Sequence, residues 1–326
     1  MAVYTKVSKG KIQSILSKYD VGKLIKHEEI LEGIENSNFK VTTTDGTFIL
    51  TIYEKRVKEE DLPYFINLMD HLSSNGINCP KPIKDKSGEI FQSVSNKKSI
   101  LVTFLSGNSL KFIDKIHCYE LGKNLANFHI QGLKFKGKRE NDLNYRSWIP
   151  LFRKGIARND LYKKSLLNEI EQIIKETVDD WPSDLENGHI HADLFPNNVF
   201  FTNNKLSGII DFYFACYDIL AYDIAICINS WCFNENGKFS QSNLEALLLG
   251  YSEIKKLRDN EKENILLLTK GAAIRFFLTR LFDWYNTPSD ANVKKLNPNE
   301  YLDKVLCLSR IHISEPTRPN HLAYAV

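Results

Sequence analysis

The first hundred positions of the chain alternate between apolar and polar residues in a way that predicts a sheet. Strands are predicted over residues 28–34, 39–43 and 48–53, where β-branched and aromatic residues are frequent. The last two flank Asp45 and Gly46, a pair that favours the positive φ angles of a two-residue hairpin turn. We therefore expect an antiparallel hairpin in this part of the chain.

A single helix interrupts this sheet pattern. Apolar residues recur at helical spacing through residues 59–75, and Gly76 follows as a stop. A strong strand is predicted over residues 100–105, and the small polar residues at 106–109 are typical of a hinge. The sheet-rich part of the chain is therefore expected to end near residue 105.

Beyond this hinge the pattern becomes helical, with a loop and a hairpin expected at 188–211. A sheet followed by helices is typical of an α+β fold with two lobes rather than an alternating βαβ sheet. We expect a small antiparallel sheet lobe at 1–105 and a larger helical lobe at 106–308. Helices are predicted over residues 115–132, 158–179, 240–255 and 259–286.

The end of the chain has a different character. The helical pattern stops at Ser309 and Arg310, and residues 311–326 show neither a period nor a cap. This stretch resembles the translation of a cloning adapter more than evolved protein sequence. We therefore expect residues 309–326 to form a non-native or disordered tail outside the fold.

Composition and charge exclude several classes of protein. The chain has 326 residues, 43% of them apolar, which is enough to bury a large core. Its 43 basic and 40 acidic side chains are too evenly balanced for a nucleic-acid-binding or membrane-surface protein. The six cysteines form no C-x-x-C pair, and the chain shows neither a signal peptide nor an apolar run near the ~20 residues of a membrane span. We expect a cytoplasmic protein with buried, reduced thiols.

The candidate chemistry is concentrated in the loop-and-hairpin segment. His191, Asp193 and Asn198 have the spacing His-x-Asp-x-x-x-x-Asn, and Asp211 follows the next apolar strand. Phosphoryl transfer needs an aspartate that accepts the proton of the attacking hydroxyl, and it needs hard oxygen ligands for Mg²⁺. Each part alone is more often a surface pair, a turn former or a helix cap. Together and in this order they favour the active site of a kinase.

The segment at 187–225 resembles the aminoglycoside-phosphotransferase branch of the protein-kinase-like superfamily. Within that branch the chain is most similar to bacterial homoserine kinases, over about residues 3 to 308. The resemblance implies a two-lobe protein-kinase-like fold that uses ATP and Mg²⁺. The other matching segments are 33–38, 49–56, 61–63, 231–233 and 275–281.

The resemblance also implies roles for individual residues. Asp193 would be the catalytic base, and Asn198 and Asp211 would be the Mg²⁺ ligands. Asp223 would be a structural support at the start of a helix, and an ordinary N-cap explains it equally well.

The same resemblance places ATP in the first lobe, with its adenine against the hinge at 101–107. The loop between the first two strands carries one glycine where protein kinases use three. Backbone amides of a tight loop can still bind phosphate, and a polar turn without function is the alternative. The candidate nucleotide contacts are Gly33, Asn36, Ser37, Asn38, Leu101 and Leu105.

The lysine that protein kinases carry on the third strand is missing. Thr51 occupies its apparent position, as in the homoserine kinases that the chain resembles, so another cation or more metal charge must balance the phosphates. Lys40 is one candidate, because a turn at Asp45 and Gly46 would place it directly across from Thr51. A change of register by one residue would turn Lys40 outward and leave it an ordinary surface lysine.

Recognition of homoserine requires charged groups besides the base. Homoserine carries a carboxylate and an ammonium, so an arginine and a second carboxylate are expected in its site. The candidates are Arg275, Arg280 and Asp283, in a helix so apolar that it must be largely buried. An internal Arg–Asp bridge explains these three at least as well. His117 and His129 are expected to be core or edge histidines.

The residues favour an ATP-dependent kinase with a small-molecule substrate and with neither nucleic acid nor membrane as a partner, and the resemblance implies that this substrate is homoserine. A kinase for another small amino alcohol, such as choline, or for an aminoglycoside is the alternative within the same fold. A non-catalytic ATP-binding regulatory module is the alternative of another class. Thr51 suggests that module, and the intact set of Asp193, Asn198 and Asp211 disfavours it.

Overall fold

The computed structural model describes the chain as two compact units. The first contains the described residues up to Gly107 together with Ser207–Tyr213. The second contains Asn108–Leu206 and the described residues from Phe214 onwards. The residues described are 5–31, 36–54, 57–157, 159–234, 236–287 and 295–314.

The first unit is built on an antiparallel sheet. Its elements are α1 (Lys9–Leu16), β1 (Leu24–Ile30), β2 (Asn36–Thr43), β3 (Gly46–Tyr53), α2 (Leu62–Ser74), β4 (Gln92–Val94) and β5 (Lys97–Thr103). The five strands have the order β1-β2-β3-β5-β4. A hydrophobic cluster joins Ile12 and Leu16 of α1 to Phe39 of β2 and to Leu50 and Ile52 of β3. This cluster is one part of the core of the unit, and the small antiparallel sheet of the first lobe is confirmed.

The predicted turn between β2 and β3 is wrong by one position. Thr43 pairs with Gly46, so the two turn residues are Thr44 and Asp45 rather than Asp45 and Gly46. The side chain of Thr43 explains the difference, because its Oγ1 accepts from the Asp45 N–H at 3.2 Å and donates to the Gly46 carbonyl at 3.1 Å. These two bonds close the turn one residue earlier than the Asp-Gly signal indicates.

This shift of the turn changes the partner of Lys40. Lys40 pairs with Ile49, and Asn38 takes the place directly across from Thr51. The Thr51 Oγ1 donates to the Asn38 Oδ1 at 2.8 Å. Lys40 still lies on the same face as Asn38, because side chains alternate along a strand and the two are separated by two positions. The Lys40 Nζ lies 4.5 Å from the centroid of the Phe104 ring.

The second unit is mainly helical. Its β6 and β9 pair in antiparallel orientation. Strands β7 and β8 form a hairpin across Asn203 and Asn204. The first unit resumes within β8, at Ser207. The elements from Asn108 onwards are α3 (Lys115–Gly132), α4 (Trp148–Ile156), α5 (Lys164–Asp179), β6 (Asn187–Ile190), β7 (Val199–Thr202), β8 (Lys205–Ile209), β9 (Cys216–Ile219), α6 (Leu220–Trp231), α7 (Gln241–Ile254), α8 (Asp259–Asn286) and α9 (Asn299–Ser314).

The helical pattern predicted for this unit is confirmed for α3, α7 and α8 to within one residue at each end. Helix α5 begins at Lys164, six residues later than the predicted start of 158, and the helical pattern did not indicate α4 or α6. All of α6 except Ser230 is buried, so it has no polar face from which a helical period could be recognised. The predicted helix stop at Ser309 is also wrong, because α9 continues to Ser314.

Helices α3 and α7 approach each other at the level of the backbone. A Cβ atom at Gly122 would lie 2.1 Å from the Leu247 carbonyl oxygen. A Cβ atom at Gly250 would lie 2.1 Å from the Tyr119 carbonyl oxygen. Neither distance is possible between a Cβ and a main-chain atom, so this crossing requires glycine on both helices.

Two further predictions concern membrane spans and the state of the cysteines. Among the residues that the structure describes, no helix is both long enough and apolar enough to cross a membrane. The cysteines are free thiols, as expected. Five of them are buried, whereas Cys307 is exposed and departs from the expectation.

Candidate active site

The proposed base and one proposed metal ligand lie in a single loop of the second unit. This loop follows β6 and passes through a short 3₁₀ helix, Pro196–Asn198, before β7 begins. Asn198 is buried, and its Nδ2 donates to the Asp193 carbonyl oxygen at 2.9 Å and to the Asp193 Oδ2 at 3.1 Å. The amide of Asn198 therefore holds both the main chain and the carboxylate of Asp193.

The residue before Asp193 has an unusual backbone conformation. Ala192 has a φ of 63°, in the left-handed region. This region costs a residue with a Cβ about 1–2 kcal/mol. Two hydrogen bonds to Asp223 support the turn, one from the His191 N–H at 2.8 Å and one from the Ala192 N–H at 2.9 Å. The carboxylate of Asp223 thus stabilises the turn that presents Asp193.

Asp223 is completely buried in the first turn of α6. Its Oδ2 lies 3.3 Å from the Nε2 of His129, whose Nδ1 lies 2.8 Å from the Tyr251 hydroxyl. Burial alone would raise the pKa of Asp223, but the hydrogen bond and charge of His129 and the N–H of His191 outweigh it, so the pKa is lowered. Because the residue at the N-cap position of α6 is Ile219, the N-cap interpretation of Asp223 is wrong.

Arg275 lies beneath the same turn. Only 2% of it is exposed, and its Nη1 donates to the carbonyl oxygen of Ala192. The guanidinium carbon lies 4.5 Å from the centroid of the Phe276 ring and 5.5 Å from that of the Phe214 ring. The sequence suggested Arg275 as a substrate contact, but this position is inside the unit and the described contact is to the backbone.

Arg280 lies one and a half turns further along α8, and its described ion pair is with a residue of α9. Its Nη1 lies 2.5 Å from the Oε2 of Glu300, rather than in an Arg–Asp bridge within its own helix. The Lys304 Nζ lies 3.4 Å from the Glu300 Oε1. Arg280 and Lys304 both lie over the ring of Tyr301, at 4.4 and 4.3 Å from its centroid. Asp283 is partly buried on the same helix as Arg280.

This group on α8 and α9 is connected to the catalytic loop. The ring of Phe195, two residues after Asp193, packs edge-on against that of Phe276, with 4.8 Å between the ring centroids. The centroid of the Tyr301 ring lies 6.4 Å from that of Phe195. The charge of Asp193 is among the causes, after burial, that raise the pKa of Tyr301. Sequence reasoning missed Glu300, Tyr301 and Lys304. The available signal was the i,i+4 spacing of Glu300 and Lys304 near the start of a helix.

The second predicted carboxylate, Asp211, lies in the first unit. It follows β8, precedes a short 3₁₀ helix at Phe212–Phe214, and has a φ of 68° in the left-handed region. In the same unit, the Tyr213 hydroxyl donates to the Tyr53 hydroxyl at 3.2 Å. Burial, Tyr213 and the charge of Asp211 raise the pKa of Tyr53 well above its usual value. Asp211 is therefore held in a strained turn, as Ala192 is in the second unit.

Two of the predicted phosphate contacts are internal in the structure. Ser37 is completely buried, and its Oγ accepts from the Thr5 N–H at 3.0 Å and donates to Glu54 at 2.7 Å. Asn36 is 4% exposed, and its Oδ1 accepts from the Glu54 N–H at 3.3 Å. Both side chains support the start of β2 rather than an open phosphate loop, which corrects the expectation for them. Gly33 lies outside the described residues.

The predicted adenine contacts also differ from each other. Leu101 is completely buried in the hydrophobic cluster of the first unit and pairs with Leu50, so its side chain has no surface to offer a nucleotide. Leu105 is partly buried beside Gly208, where an added Cβ would lie 2.9 Å from the Leu105 Cδ1. The prediction for Leu101 is therefore corrected, and the one for Leu105 stays a prediction.

Comparison with known proteins places this arrangement in a family. Residues 26–257 match the model of the phosphotransferase enzyme family, which is more than half of the chain. The chain belongs to this family. This phosphotransferase is 46% identical over 305 residues to a homoserine kinase of Xanthobacter autotrophicus, covering 94% of this chain and 95% of the relative. It is equally similar to a homoserine kinase of Rhizobium meliloti, covering 94% of each chain.

Solved structures agree on the fold of this phosphotransferase. A choline kinase from Cryptosporidium parvum superposes with a TM-score of 0.72 at 15% identity, covering 95% of this chain and 97% of that one. At that level of identity the likeness concerns the fold alone, and it confirms the expected two-lobe protein-kinase-like architecture.

The donor set of this phosphotransferase fits Mg²⁺. Among the described residues, no three His, Cys, Asp or Glu side chains form a group that could hold a metal ion. Mg²⁺ does not need such a group, because one or two protein oxygen ligands together with substrate phosphates suffice. Asn198 directs its Nδ2 to Asp193, so its Oδ1 is the atom that it can offer to a cation. The same Oδ1 also accepts a hydrogen bond from the Asn197 Nδ2 at 3.1 Å.

Proposed function

We propose that this phosphotransferase is an ATP-dependent homoserine kinase, which transfers the γ-phosphoryl group to the hydroxyl of L-homoserine on the route to threonine. The observation that carries the proposal is the 46% identity to homoserine kinases over 94% of the chain. The ordered Asp193–Asn198 pair supports the kinase chemistry. Kinases of choline and of other amino alcohols share the fold at about 15% identity, which does not favour their substrates here.

Asp193 is the proposed catalytic residue. The hydroxyl oxygen of homoserine forms a bond to the γ-phosphorus while the bond from that phosphorus to the bridging oxygen of ATP breaks. ADP leaves with the electron pair of that bond, and the hydroxyl proton passes to the Asp193 carboxylate. Asn198 holds the carboxylate in one orientation through its bond to Oδ2, so the base is positioned before the substrate arrives.

Asn198 and Asp211 are the proposed Mg²⁺ ligands, on the resemblance to kinases and on their oxygen chemistry. Mg²⁺, when bound, supplies positive charge to the phosphates of ATP. The Asn38 Nδ2 and the Lys40 Nζ are the proposed protein donors to those phosphates in place of the missing strand lysine. Asn38 uses its Oδ1 to accept from Thr51, and this contact orients its Nδ2 as a donor.

Arg280 and Glu300 are the proposed contacts to the charged ends of homoserine. The guanidinium would bind the substrate carboxylate and Glu300 would bind the ammonium. The side chain of Arg280 is 11% exposed and that of Glu300 is 53% exposed, so a ligand can reach the pair from the Glu300 side. The pair is linked to the Asp193 loop through Tyr301, Phe276 and Phe195. Asp283, which the sequence suggested for this role, stays a prediction.

The substrate is tested by ADP release with Mg·ATP across homoserine, serine, choline, ethanolamine and kanamycin. Homoserine is expected to give the highest kcat/KM, by about 10²-fold or more over serine, because the shorter chain of serine leaves either its hydroxyl or its charged ends unpaired. A preference for choline or kanamycin would refute the assignment of homoserine as the substrate. Binding of Mg·ATP without transfer to any of these alcohols would favour a regulatory module instead.

Two truncated substrates test Arg280 and Glu300 separately. Arg280→Met should lower kcat/KM for homoserine but leave turnover of 3-aminopropan-1-ol, which lacks the carboxylate, close to wild type. Glu300→Gln should lower kcat/KM for homoserine but spare 4-hydroxybutanoate, which lacks the ammonium. If each variant loses the same factor on homoserine and on its truncated substrate, the pair contributes to stability and not to recognition.

A further inference from the structure

Arg275 is a buried cation with little to neutralise it. Within the described part of the chain it forms no salt bridge, and its Nε has no hydrogen-bond partner. Its contacts are the faces of Phe214 and Phe276 and the carbonyl oxygen of Ala192. Burial raises the pKa of the nearby Asp218 carboxyl. The charge of Arg275 opposes this rise, but more weakly than the hydrogen bonds from Asn141 and from the Ile219 N–H.

Such an environment is unfavourable for the stability of the folded chain. Burying a guanidinium without a carboxylate costs free energy that a methionine of similar length would not cost. Stability therefore does not explain an arginine here. The explanation has to come from what its donor group contacts, and that contact is the main chain immediately before the proposed base.

The contacted carbonyl belongs to the residue with the strained backbone. Ala192 is left-handed, and Asp223 holds only its N–H side. The direction of the next peptide, which carries Asp193, depends on where the Ala192 carbonyl points. A hydrogen bond from a charged donor is about twice as strong as one between neutral groups, so a guanidinium is well suited to hold this carbonyl against the preference of alanine for negative φ.

We propose that Arg275 is a positioning residue for phosphoryl transfer, which sets the orientation of Asp193 by holding the Ala192 carbonyl and does not bind the substrate carboxylate. Ala192 is thus held at both ends, by Asp223 at its N–H and by Arg275 at its carbonyl. The proposal deepens the proposed kinase function and rests on it. It differs from the expectation drawn from the sequence, in which Arg275 contacts homoserine directly.

Arg275→Met tests the proposal by separating kcat from KM. With the carbonyl released, we expect kcat to fall by about 10²-fold, which is the size of effect that a displacement of about 1 Å can produce. The KM for homoserine and the affinity for Mg·ATP should change by less than about threefold, because in this proposal neither ligand contacts Arg275. Arg275→Lys keeps a charged donor and should recover part of kcat.

Ala192→Gly provides a rescue that a substrate contact would not show. Glycine adopts the left-handed conformation without the Cβ penalty, so the turn needs less support from Arg275. The variant Ala192→Gly with Arg275→Met should therefore have a higher kcat than Arg275→Met alone. Leu268→Ala is the matched control, since it removes a buried side chain two turns earlier on α8. It should lower the unfolding midpoint without lowering kcat per folded enzyme.

Several outcomes would overturn the proposal. One is a KM for homoserine raised at least tenfold in Arg275→Met at unchanged kcat, with the defect absent for 3-aminopropan-1-ol, since Arg275 would then bind the carboxylate. Unchanged kcat and KM would show that the contact is packing only. If Arg275→Met fails to fold, the test compares the single variant Arg275→Lys with the double variant Arg275→Lys and Ala192→Gly. Equal kcat in these two variants would count against the proposal.

The proposed function can fail separately from this inference. Wild-type turnover across the alcohol panel decides the substrate. The ratio of variant to wild-type kcat is measured on whichever alcohol the wild type phosphorylates best. A wild type that prefers another alcohol would therefore refute homoserine as substrate and still report on the role of Arg275.

Discussion

Asp223→Asn is the most informative single change behind the catalytic loop. The asparagine has the same shape, but it has one acceptor oxygen where the carboxylate serves the N–H groups of both His191 and Ala192. One buried N–H then faces an NH₂ group and loses its partner, which costs about 1–3 kcal/mol. Loss of the charge weakens the remaining bonds by about 1 kcal/mol. The variant should therefore be less stable by about 2–4 kcal/mol.

The loss should depend on pH in a defined direction. The pKa of Asp223 is lowered in the folded chain, so its contribution to stability is fully present above the pKa of about 4 that the unfolded carboxyl has. That contribution is lost as the pH falls through the folded pKa. The difference in unfolding free energy between wild type and Asp223→Asn should be constant from about pH 5 to 8, and it should shrink below about pH 4.

Thermal and urea unfolding at several pH values measure this difference. A loss of about 2–4 kcal/mol in a unit of about 200 residues lowers the midpoint by roughly 5–15 °C. Asp259→Asn is a suitable control, because its side chain is 94% exposed and pairs with Lys262 only at 3.5 Å, so its removal should change the midpoint little. A difference that grows on acidification would mean that the Asp223 carboxyl is neutral in the folded chain and would refute the reasoning.

Other residues give shorter tests of the same picture. Asp193→Asn should lower kcat by about 10²–10⁴-fold with Mg·ATP binding retained in calorimetry, and normal turnover would refute it as the base. Asp211→Asn should make ATP binding and turnover require more Mg²⁺, and a metal dependence identical to that of Asp193→Asn would show that the two roles are misassigned. Lys40→Ala should raise the KM for ATP, and adding Thr51→Lys to that variant should recover part of the loss. Unchanged ATP kinetics in the single variant Lys40→Ala would exclude Lys40 as a phosphate contact.

The sequence was sufficient where a local pattern determines the structure. The apolar face of α2 and the bounds of α3, α7 and α8 follow from helical periodicity, and the structure confirms them. The spacing of Asp193 and Asn198 indicated a joint site, and the structure joins them by hydrogen bonds. Helix α6 could not be found this way, because it is buried on nearly all sides and has no period.

The sequence was insufficient where two local signals compete or where a partner distant along the chain decides. The β2–β3 register depends on the side chain of Thr43 as well as on the Asp-Gly pair. Arg275 and Arg280 are both arginines of one apolar helix, and periodicity cannot tell which of them contacts a backbone carbonyl and which an acidic residue of α9. That distinction needs the position of α9 and of the loop at Ala192, 83 residues earlier in the chain.

The crossing of α3 and α7 restricts how this protein can evolve. At most tight contacts a larger residue can be accommodated later by a smaller one on the facing surface. At Gly122 and Gly250 the facing atoms are main-chain carbonyl oxygens, which no substitution can make smaller. A second mutation on the opposite helix therefore cannot compensate for a side chain at either position. In a library of random variants these two sites should tolerate only glycine, in whatever background they are tested.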